Sequence, residues 1–384
     1  MPTLFFLPWV PSTEEIALGP VKLVPFERGS KPGSLGGIPQ GDIDAILGAY
    51  AVPAHGGSAM GSRVDRATIV WWEGDSSATE LTEDDIAERL TFGQTIAFAA
   101  LSERRYGSHW YWNADCLAMV GQRFVVGDAS RLLIQTRRRD GHGLNVVSAS
   151  GAPVILRPHH VTSERVEFDG RLVQAIDSLP YDPFKERLLK SITVFNRANT
   201  DSADVSLAIE LVLLRVAFET LFQSSHATPD LAARIARHFD PYCPKVAWAP
   251  GPLSEATWHA RWPKDVQRPL DAWVQDFCAA RNNSAHGPSM PGKHSPPVWS
   301  NANHALFASW LFPISVKSLL QQVGVYALTD MDTDYLTHCE AFLAHDVLAL
   351  TADGKLTWDL VDDKIRGREL GRLIATGFNR QFPD

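Results

Sequence analysis

The spacing of hydrophobic and polar positions changes near residue 179 of this chain. Before that point, short runs of β-branched and aromatic residues are separated by clusters of Gly, Pro, Asp and Ser. This rhythm is typical of a twisted sheet or sandwich. One short helix is expected at residues 82–90, opened by Thr82 or Asp85. The pattern predicts strands at residues 4–10, 21–26, 68–72, 117–126, 132–136, 145–147 and 153–156.

Beyond residue 179, apolar residues recur at the spacing of an α-helix. A first helix is expected to end near Asn199, and a second one, from about residue 203 to 222, is apolar on nearly every side. A helix of that kind belongs in the centre of a bundle. Its charged exceptions include Arg215 and Glu219, which the i,i+4 spacing places on one face.

The pattern predicts an α+β fold in three parts: a β-rich N-terminal domain over residues 1–178, an all-α bundle over 179–325, and a small helix-and-hairpin extension over 326–384. The hairpin is expected at residues 347–359, turning at Asp353-Gly354. The remaining helices are predicted at 231–239, from Pro269 to a stop at Gly287 and Pro288, at 302–323 with an interruption at Pro313, and at 333–345.

The bulk composition narrows the class of protein. A chain of 384 residues exceeds the size at which one core keeps growing, so more than one domain is expected. Hydrophobic residues make up 45% and charged residues 21%, as in ordinary globular proteins. The formal charge of −8 argues against a broad surface for coating nucleic acid. A local basic groove stays compatible with it, because phosphate contacts act at short range in salt.

The sequence also bears on the cellular compartment. The four cysteines are scattered with no C-x-x-C pair, which predicts reduced thiols rather than a disulfide framework or a zinc site. The apolar opening at residues 4–10 is interrupted by Pro8 and has no basic flank, unlike a secretion signal. No stretch is long enough to cross a membrane. We therefore expect a cytoplasmic protein that has no membrane partner.

Three Arg-x4-His pairs are present: Arg104/His109, Arg137/His142 and Arg281/His286. The first two lie in a basic, partly aromatic region, where aromatic faces would stack on unpaired bases and Arg would hold phosphate. The inert alternatives are a turn followed by an aromatic strand for the first pair, and a solvated Asp-Gly hairpin turn for the second. The RNA-binding candidates in this region are Arg104, Arg105, Trp110, Arg137, Arg138 and Arg139.

The third pair differs because it lies at the end of an apolar helix. Residues 277–287 read FCAARNNSAHG, so Arg281, Asn282 and His286 fall in the closing turns. Such groups are costly to bury without partners, and they therefore need a hydrogen-bond network or a function. Arginine is always charged and suits phosphate, and histidine exchanges a proton near neutrality.

In this context the chain resembles the HEPN superfamily, in particular its Apea-like branch. Three segments carry the resemblance over about residues 181–325, in the family's order. Residues 191–198 (SITVFNRA) resemble the end of the first helix, with its Phe-Asn-x-Ala step. Residues 214–222 (LRVAFETLF) resemble the central helix, with Ala-Phe-Glu in place of Ala-Leu-Glu. Residues 281–287 (RNNSAHG) resemble the closing Arg-Asn-x-x-x-His-Gly motif.

The resemblance implies a small helical bundle that acts as a metal-independent endoribonuclease without a cofactor. RNA carries its own nucleophile, the 2′-hydroxyl, so the protein has to supply a proton acceptor or donor and a cation. His286 would be the general base or acid, and Arg281 would hold the scissile phosphate and stabilise its charge. Asn282 would orient the substrate or the histidine. Glu219 is placed to pair with Arg281 or to fix a tautomer of His286.

The spacing of the motif bears on the oligomeric state. On an ideal helix a five-residue separation places Arg281 and His286 about 140° apart. One site then requires either a bend at the helix end or an opposed copy from a second subunit. We therefore expect a homodimer through this helix.

The family resemblance also suggests a biological setting. Like other Apea-like proteins, the chain is expected to act in antiviral defence or in a toxin-like stress response. The N-terminal domain would sense a trigger or hold RNA, with a regulatory protein or a phage-derived trigger as a further partner.

Other functions stay open at this point. The first alternative is a non-catalytic HEPN domain that binds a nucleotide or a partner protein, and the second is an unrelated bundle in which Arg281 and His286 cap helix carbonyls. A metal-dependent hydrolase is disfavoured, because the Asp and His pairs are sequence neighbours that point apart. A serine hydrolase is disfavoured because no G-x-S-x-G motif is present.

Overall fold

The computed structural model describes most of the chain, in two compact units. The first unit runs to Leu179, and the second takes nearly all of the chain from Pro180 onward. The predicted α+β class is confirmed. The residues described are 3–29, 40–48, 50–51, 63–75, 80–104, 112–125, 128–138, 141–148, 155–156, 166–200, 205–243, 266, 268–286, 298–343, 350 and 352–368.

In the described part of the first unit the main feature is a seven-stranded sheet in which every neighbouring pair is antiparallel. Its strand order is β2-β3-β5-β1-β6-β7-β8, so β1 lies in the middle. A parallel pair, β4 (Tyr50–Ala51) with β9 (Ile155–Leu156), forms a second, small sheet. The strands of the main sheet are β1 Thr3–Leu7, β2 Ile16–Leu18, β3 Val21–Glu27, β5 Arg66–Trp72, β6 Val120–Val125, β7 Asp128–Arg138 and β8 Gly141–Ser148.

The described part of this unit also contains the α-helices α1 (Gln40–Leu47), α2 (Glu83–Leu101) and α3 (Gly170–Ser178), and a 3-10 helix at Ala114–Leu117. Successive side chains on a strand point to opposite faces, and β1 shows the consequence. Phe6 packs with Tyr50 and with the core that includes residues of α1. Phe5 contacts Trp72, which in turn contacts Phe92 of α2. The two faces of the sheet are therefore covered by different helices.

The second unit is a helical bundle. The helix α5 contacts α4, α6, α7 and α8, which confirms that the most apolar helix lies in the centre. The last described segment, residues 357–368, is also helical and is labelled α10. The other helices are α4 Pro183–Ala198, α5 Leu207–Phe222, α6 Thr228–Phe239, α7 Pro269–His286, α8 Asn301–Gln322 and α9 Asp330–His338, which continues as a 3-10 helix at Cys339–Leu343.

Aromatic side chains form the core of this bundle. The ring of Phe218, on α5, lies 5.3 Å from that of Phe312 on α8 and 6.4 Å from that of Phe277 on α7. Phe195, on α4, stacks on Phe312 at 4.5 Å. Aromatic pairs at these distances add to the free energy of burial. One cluster of rings thus joins four helices and fixes the position of the end of α7.

The structure corrects several of the predicted elements. The helix α8 is continuous through Pro313 instead of being interrupted there, because buried contacts along most of its length compensate for the missing hydrogen bond. Of the hairpin predicted at 347–359, the described residues show an isolated bridge between Leu350 and Leu356, with the helix α10 directly after it. Residues 347–349 and 351 lie outside the described ranges. The helix expected at 82–90 extends to Leu101, with Thr82 as its N-cap. The helices α1 and α3 had no counterpart in the prediction.

His238 connects α6 to α8 inside the bundle. Its Nε2 lies 2.6 Å from the Ser318 hydroxyl, and the ring is buried beside Phe222 and Phe239. Burial lowers the pKa of His238 from 6.5 to about 4, because a charged imidazole is poorly solvated there.

We predict that the free energy of unfolding falls as the pH drops from 6.5 towards 4. In that window the unfolded chain binds a proton at His238 that the folded chain does not bind, so acid favours unfolding. His238 alone should lower the free energy of unfolding by about 3 kcal/mol over this pH range. Urea denaturation at a series of pH values measures it. His238→Gln should flatten this part of the profile, and an unchanged slope in that variant would assign the loss to other groups.

Candidate functional site

The centre of the candidate site is Arg215, a fully buried arginine on α5 that is 2% exposed. Its Nε donates to Glu219 Oε1 at 2.7 Å, one helical turn along, as the spacing predicted. Its Nη1 donates to Asn282 Oδ1 at 3.0 Å, and its Nη2 donates to the carbonyl of His226 at 2.7 Å. A buried guanidinium is tolerated when it is paired and hydrogen-bonded on several sides. Arg215 therefore ties α7 and the turn after α5 to the central helix.

Glu219 is buried and uses both of its carboxylate oxygens. Oε1 accepts from Arg215, and Oε2 lies 3.2 Å from His226 Nδ1. The His226 side chain is 98% exposed. A buried carboxylate thus holds an imidazole that faces solvent.

Local chain geometry fixes the turn that carries His226. The helix α5 ends at Gln223, whose φ of 52° lies in the left-handed region, and the amide of Ser224 bonds back to the Glu219 carbonyl at 3.0 Å. The amide of Ser225 donates to Asp230 Oδ2 at 2.6 Å. These bonds satisfy the end of one helix and lead directly into α6.

Arg281 and Asn282 lie near the end of α7. Asn282 Oδ1 accepts from Arg215 Nη1 and also from Arg281 Nη1, at 3.2 Å. Because its oxygen faces two guanidinium groups, the amide nitrogen of Asn282 points away from them. Asn282 is exposed, and Arg281 is partly buried with an Nε that has no hydrogen-bond partner among the described residues. Because the Arg281 Nε is closed off from solvent, the donors left for an anion are the amide nitrogen of Asn282 and Arg281 Nη2.

Cys278 lies one helical turn before Asn282 and is buried. Burial raises the pKa of its thiol to about 11, against the opposing influence of Arg215 and of a hydrogen bond to Thr228. A neutral thiol is a poor nucleophile. The reactive groups of this site are therefore nitrogen donors and an imidazole.

The structure joins three of the four predicted catalytic residues in one hydrogen-bonded chain: Glu219, Asn282 and Arg281. Of the two roles expected for Glu219, pairing with Arg281 is indirect here, because Glu219 binds Arg215 and His226 and Asn282 completes the link to Arg281. The other role, fixing a tautomer of His286, stays a prediction. The backbone of His286 ends α7, while its side chain lies outside the described residues.

The end of α7 is continuous helix from Arg281 to His286. The two positions are therefore about 140° apart around the helix axis, with a rise of about 7.5 Å between them. On a regular α-helix these two positions lie on different sides of the axis.

The RNA-binding candidates at residues 104–139 lie apart in the sequence from these catalytic candidates, and one of them, Arg104, has a described side chain. Arg104 is 4% exposed, and its Nη1 donates to the Trp112 carbonyl at 3.4 Å and to Asn113 Oδ1 at 3.3 Å. Its guanidinium is thus bonded inside the fold, and its role as an RNA contact stays a prediction. The other candidates lie outside the described residues: Arg105, Trp110, Arg139 and the side chains of Arg137 and Arg138.

The sequence interpretation missed two histidines of the second unit, His226 and His304. His226 stands in a polar turn with no motif around it, so no sequence signal marks it. His304 is fully buried, and its Nε2 lies 3.2 Å from Asp276 Oδ2, which also accepts from the amides of Val298 and Trp299. That buried pair fixes the start of α8 to α7 and has no access to a substrate.

Comparison with known proteins adds no family assignment. No protein-family model, no curated protein and no solved structure matches the chain. The resemblance to HEPN domains accordingly rests on the residues quoted above. Within the described ranges, no helix is long and apolar enough to cross a membrane, and no group of three or more His, Cys, Asp or Glu is arranged to hold a metal ion.

We predict that Arg215→Met lowers the free energy of unfolding by about 3–5 kcal/mol, because it leaves the buried Glu219 carboxylate without its cation. Urea denaturation at pH 7 measures the loss. The matched control is Lys190→Met, which breaks the exposed i,i+4 pair with Glu186 and should cost about 0.5 kcal/mol or less. Equal losses in the two variants would contradict a special role for the buried pair.

Proposed function

We propose that the chain is a metal-independent endoribonuclease of the HEPN type, which cleaves RNA by attack of a 2′-hydroxyl on the adjacent phosphate. The observation that carries the proposal is the hydrogen-bonded chain from Glu219 through Arg215 to Asn282 and Arg281. It presents a guanidinium and an amide at the end of a rigid helix, where each keeps donors for a phosphate.

Each residue has a distinct role in the proposed reaction. Arg281 holds the non-bridging oxygens of the scissile phosphate and stabilises the charge that develops on them. Asn282 donates from its amide nitrogen to the same substrate. His286 transfers a proton as general acid or base. Glu219 does not touch RNA; it acts through Arg215 as a positioning residue.

The continuous helix favours a dimeric site. Because Arg281 and His286 are about 140° apart on α7, one phosphate is reached by both when a second copy supplies the opposed motif. A two-fold homodimer through α7 places Arg281 of one protomer beside His286 of its partner.

The resemblance to the HEPN family also suggests a biological setting. The enzyme would act in the cytoplasm in antiviral defence or a toxin-like stress response. The first unit would sense the trigger or hold RNA, and a regulatory protein or a phage-derived component would release the activity.

The alternative function is a non-catalytic HEPN domain that binds a nucleotide or a partner protein. The same helix geometry favours it in a monomer, where Arg281 and Asn282 form an anion site that His286 does not share. The two functions differ in whether RNA is cut.

We predict that the wild-type protein cleaves single-stranded RNA in EDTA and leaves a 2′,3′-cyclic phosphate. Arg281→Ala and His286→Ala should each lower the rate by about 100-fold or more, since both remove transition-state contacts. The control Lys190→Ala removes an exposed cation that pairs with Glu186 on α4, and it should keep full activity. RNA methylated at the 2′-oxygens should resist cleavage. Absence of cleavage with retained nucleotide binding would support the alternative.

We predict complementation between the two inactive variants. If Arg281 and His286 of one site come from different protomers, an Arg281→Ala/His286→Ala heterodimer contains one intact site. A co-refolded equimolar mixture should then recover about one quarter of the wild-type rate. Light scattering on the wild type should show a dimer. An active monomer, or a mixture as inactive as its components, would contradict the shared site.

A further inference from the structure

The exposed ring of His226 has an environment unlike that of the other histidines with described side chains. His238 and His304 are buried, and His338 contacts the Asp334 carbonyl and Arg368. His226 combines a side chain that is 98% exposed with a contact to the buried carboxylate of Glu219 at 3.2 Å. The buried carboxylate of Glu219 thus orients an imidazole that faces the solvent.

The contact with Glu219 selects one tautomer of the neutral ring. A carboxylate is an acceptor only, so the proton of the imidazole lies on Nδ1, which faces Glu219 Oε2. The lone pair of Nε2 is then free on the solvent side. A buried carboxylate behind an imidazole fixes the orientation of the ring, so Nε2 is presented to the solvent side.

The backbone of His226 is anchored as firmly as its ring. Arg215 Nη2 donates to the His226 carbonyl at 2.7 Å, while Nη1 of the same guanidinium holds Asn282, which binds Arg281. One buried arginine therefore positions both the imidazole and the phosphate-binding end of α7. These groups belong to a single protomer and require no second copy.

We propose that His226 is the general base of the ribonuclease site, an inference that rests on the proposed function above. His226 Nε2 accepts the proton of the 2′-hydroxyl as that oxygen forms a bond to phosphorus. The bond between phosphorus and the 5′-oxygen breaks, and the leaving oxygen receives a proton from His286, which thereby becomes the general acid. The products are a 2′,3′-cyclic phosphate and a 5′-hydroxyl, and the two histidines regain their starting protonation states through solvent. Arg281 holds the phosphate throughout.

The test uses the full chain in EDTA with a short single-stranded RNA as substrate. His226→Ala should lower kcat by about 100-fold with little change in KM, because the ring acts in the chemical step. Since the position is open to solvent, free imidazole in the buffer should restore part of the lost rate. The matched control His338→Ala removes another histidine ring of the same unit and should cleave at the wild-type rate, with no response to imidazole.

The outcomes separate this inference from the proposed function. If the wild type cleaves RNA and His226→Ala cleaves equally well, His226 is not the base and the proposed function stands. A rise in KM with kcat unchanged would assign His226 to binding and overturn the inference as well. A slow variant whose rate imidazole does not restore would also overturn it. No cleavage by the wild type would overturn both proposals.

A second measurement does not depend on activity. Nitrogen-15 NMR of the folded protein should show His226 as the Nδ1–H tautomer, and Glu219→Gln should change that tautomer balance. A ring protonated on Nε2 in the neutral wild type would overturn the inference, because no base would face the substrate. Matching circular dichroism of His226→Ala and the wild type serves as the folding control.

Discussion

The buried pair of Arg215 and Glu219 is the interaction on which the candidate site depends. Removing two charges from water is costly, and the pair persists only because its remaining atoms have partners. Asn282 and the carbonyl of His226 serve the guanidinium, and the His226 ring faces the second carboxylate oxygen. The same requirement that stabilises the pair therefore brings α5, the turn after it and the end of α7 together.

The aromatic core gives this pair its strength. Phe218 lies between Arg215 and Glu219 in the sequence of α5, and its ring contacts Phe277 of α7. Cys278 is buried beside the pair, and this burial raises the pKa of its thiol because a charged group is poorly solvated there. Electrostatic interactions are stronger in such surroundings than in water. The tightly packed, poorly hydrated core thus supports side chains that reach the solvent. A preorganised site requires this arrangement.

In the proposed site His226, His286 and Arg281 have separate roles. His226 is fixed within its own protomer by the buried pair, whereas His286 lies about 140° around α7 from Arg281. In the proposed dimer the base and the phosphate-binding group are thus local, and the acid comes from the partner. Assembly of two chains would then complete a site that each chain holds in part, so activity would depend on association.

Much of the architecture follows from the sequence, because hydrophobic periodicity reports burial directly. It located the strands of the main sheet apart from β2, the helices α4 to α9 of the bundle and the i,i+4 spacing of Arg215 and Glu219. Tertiary contacts decided the rest. Pro313 is tolerated because its helix is buried along most of its length, and the Arg104 guanidinium lies inside the fold, where it donates to the Trp112 carbonyl. His226 joins the site because Arg215 donates to its backbone carbonyl and its ring contacts Glu219. These contacts form only when the turn after α5 folds back on the helix, so no motif around His226 marks them in the sequence.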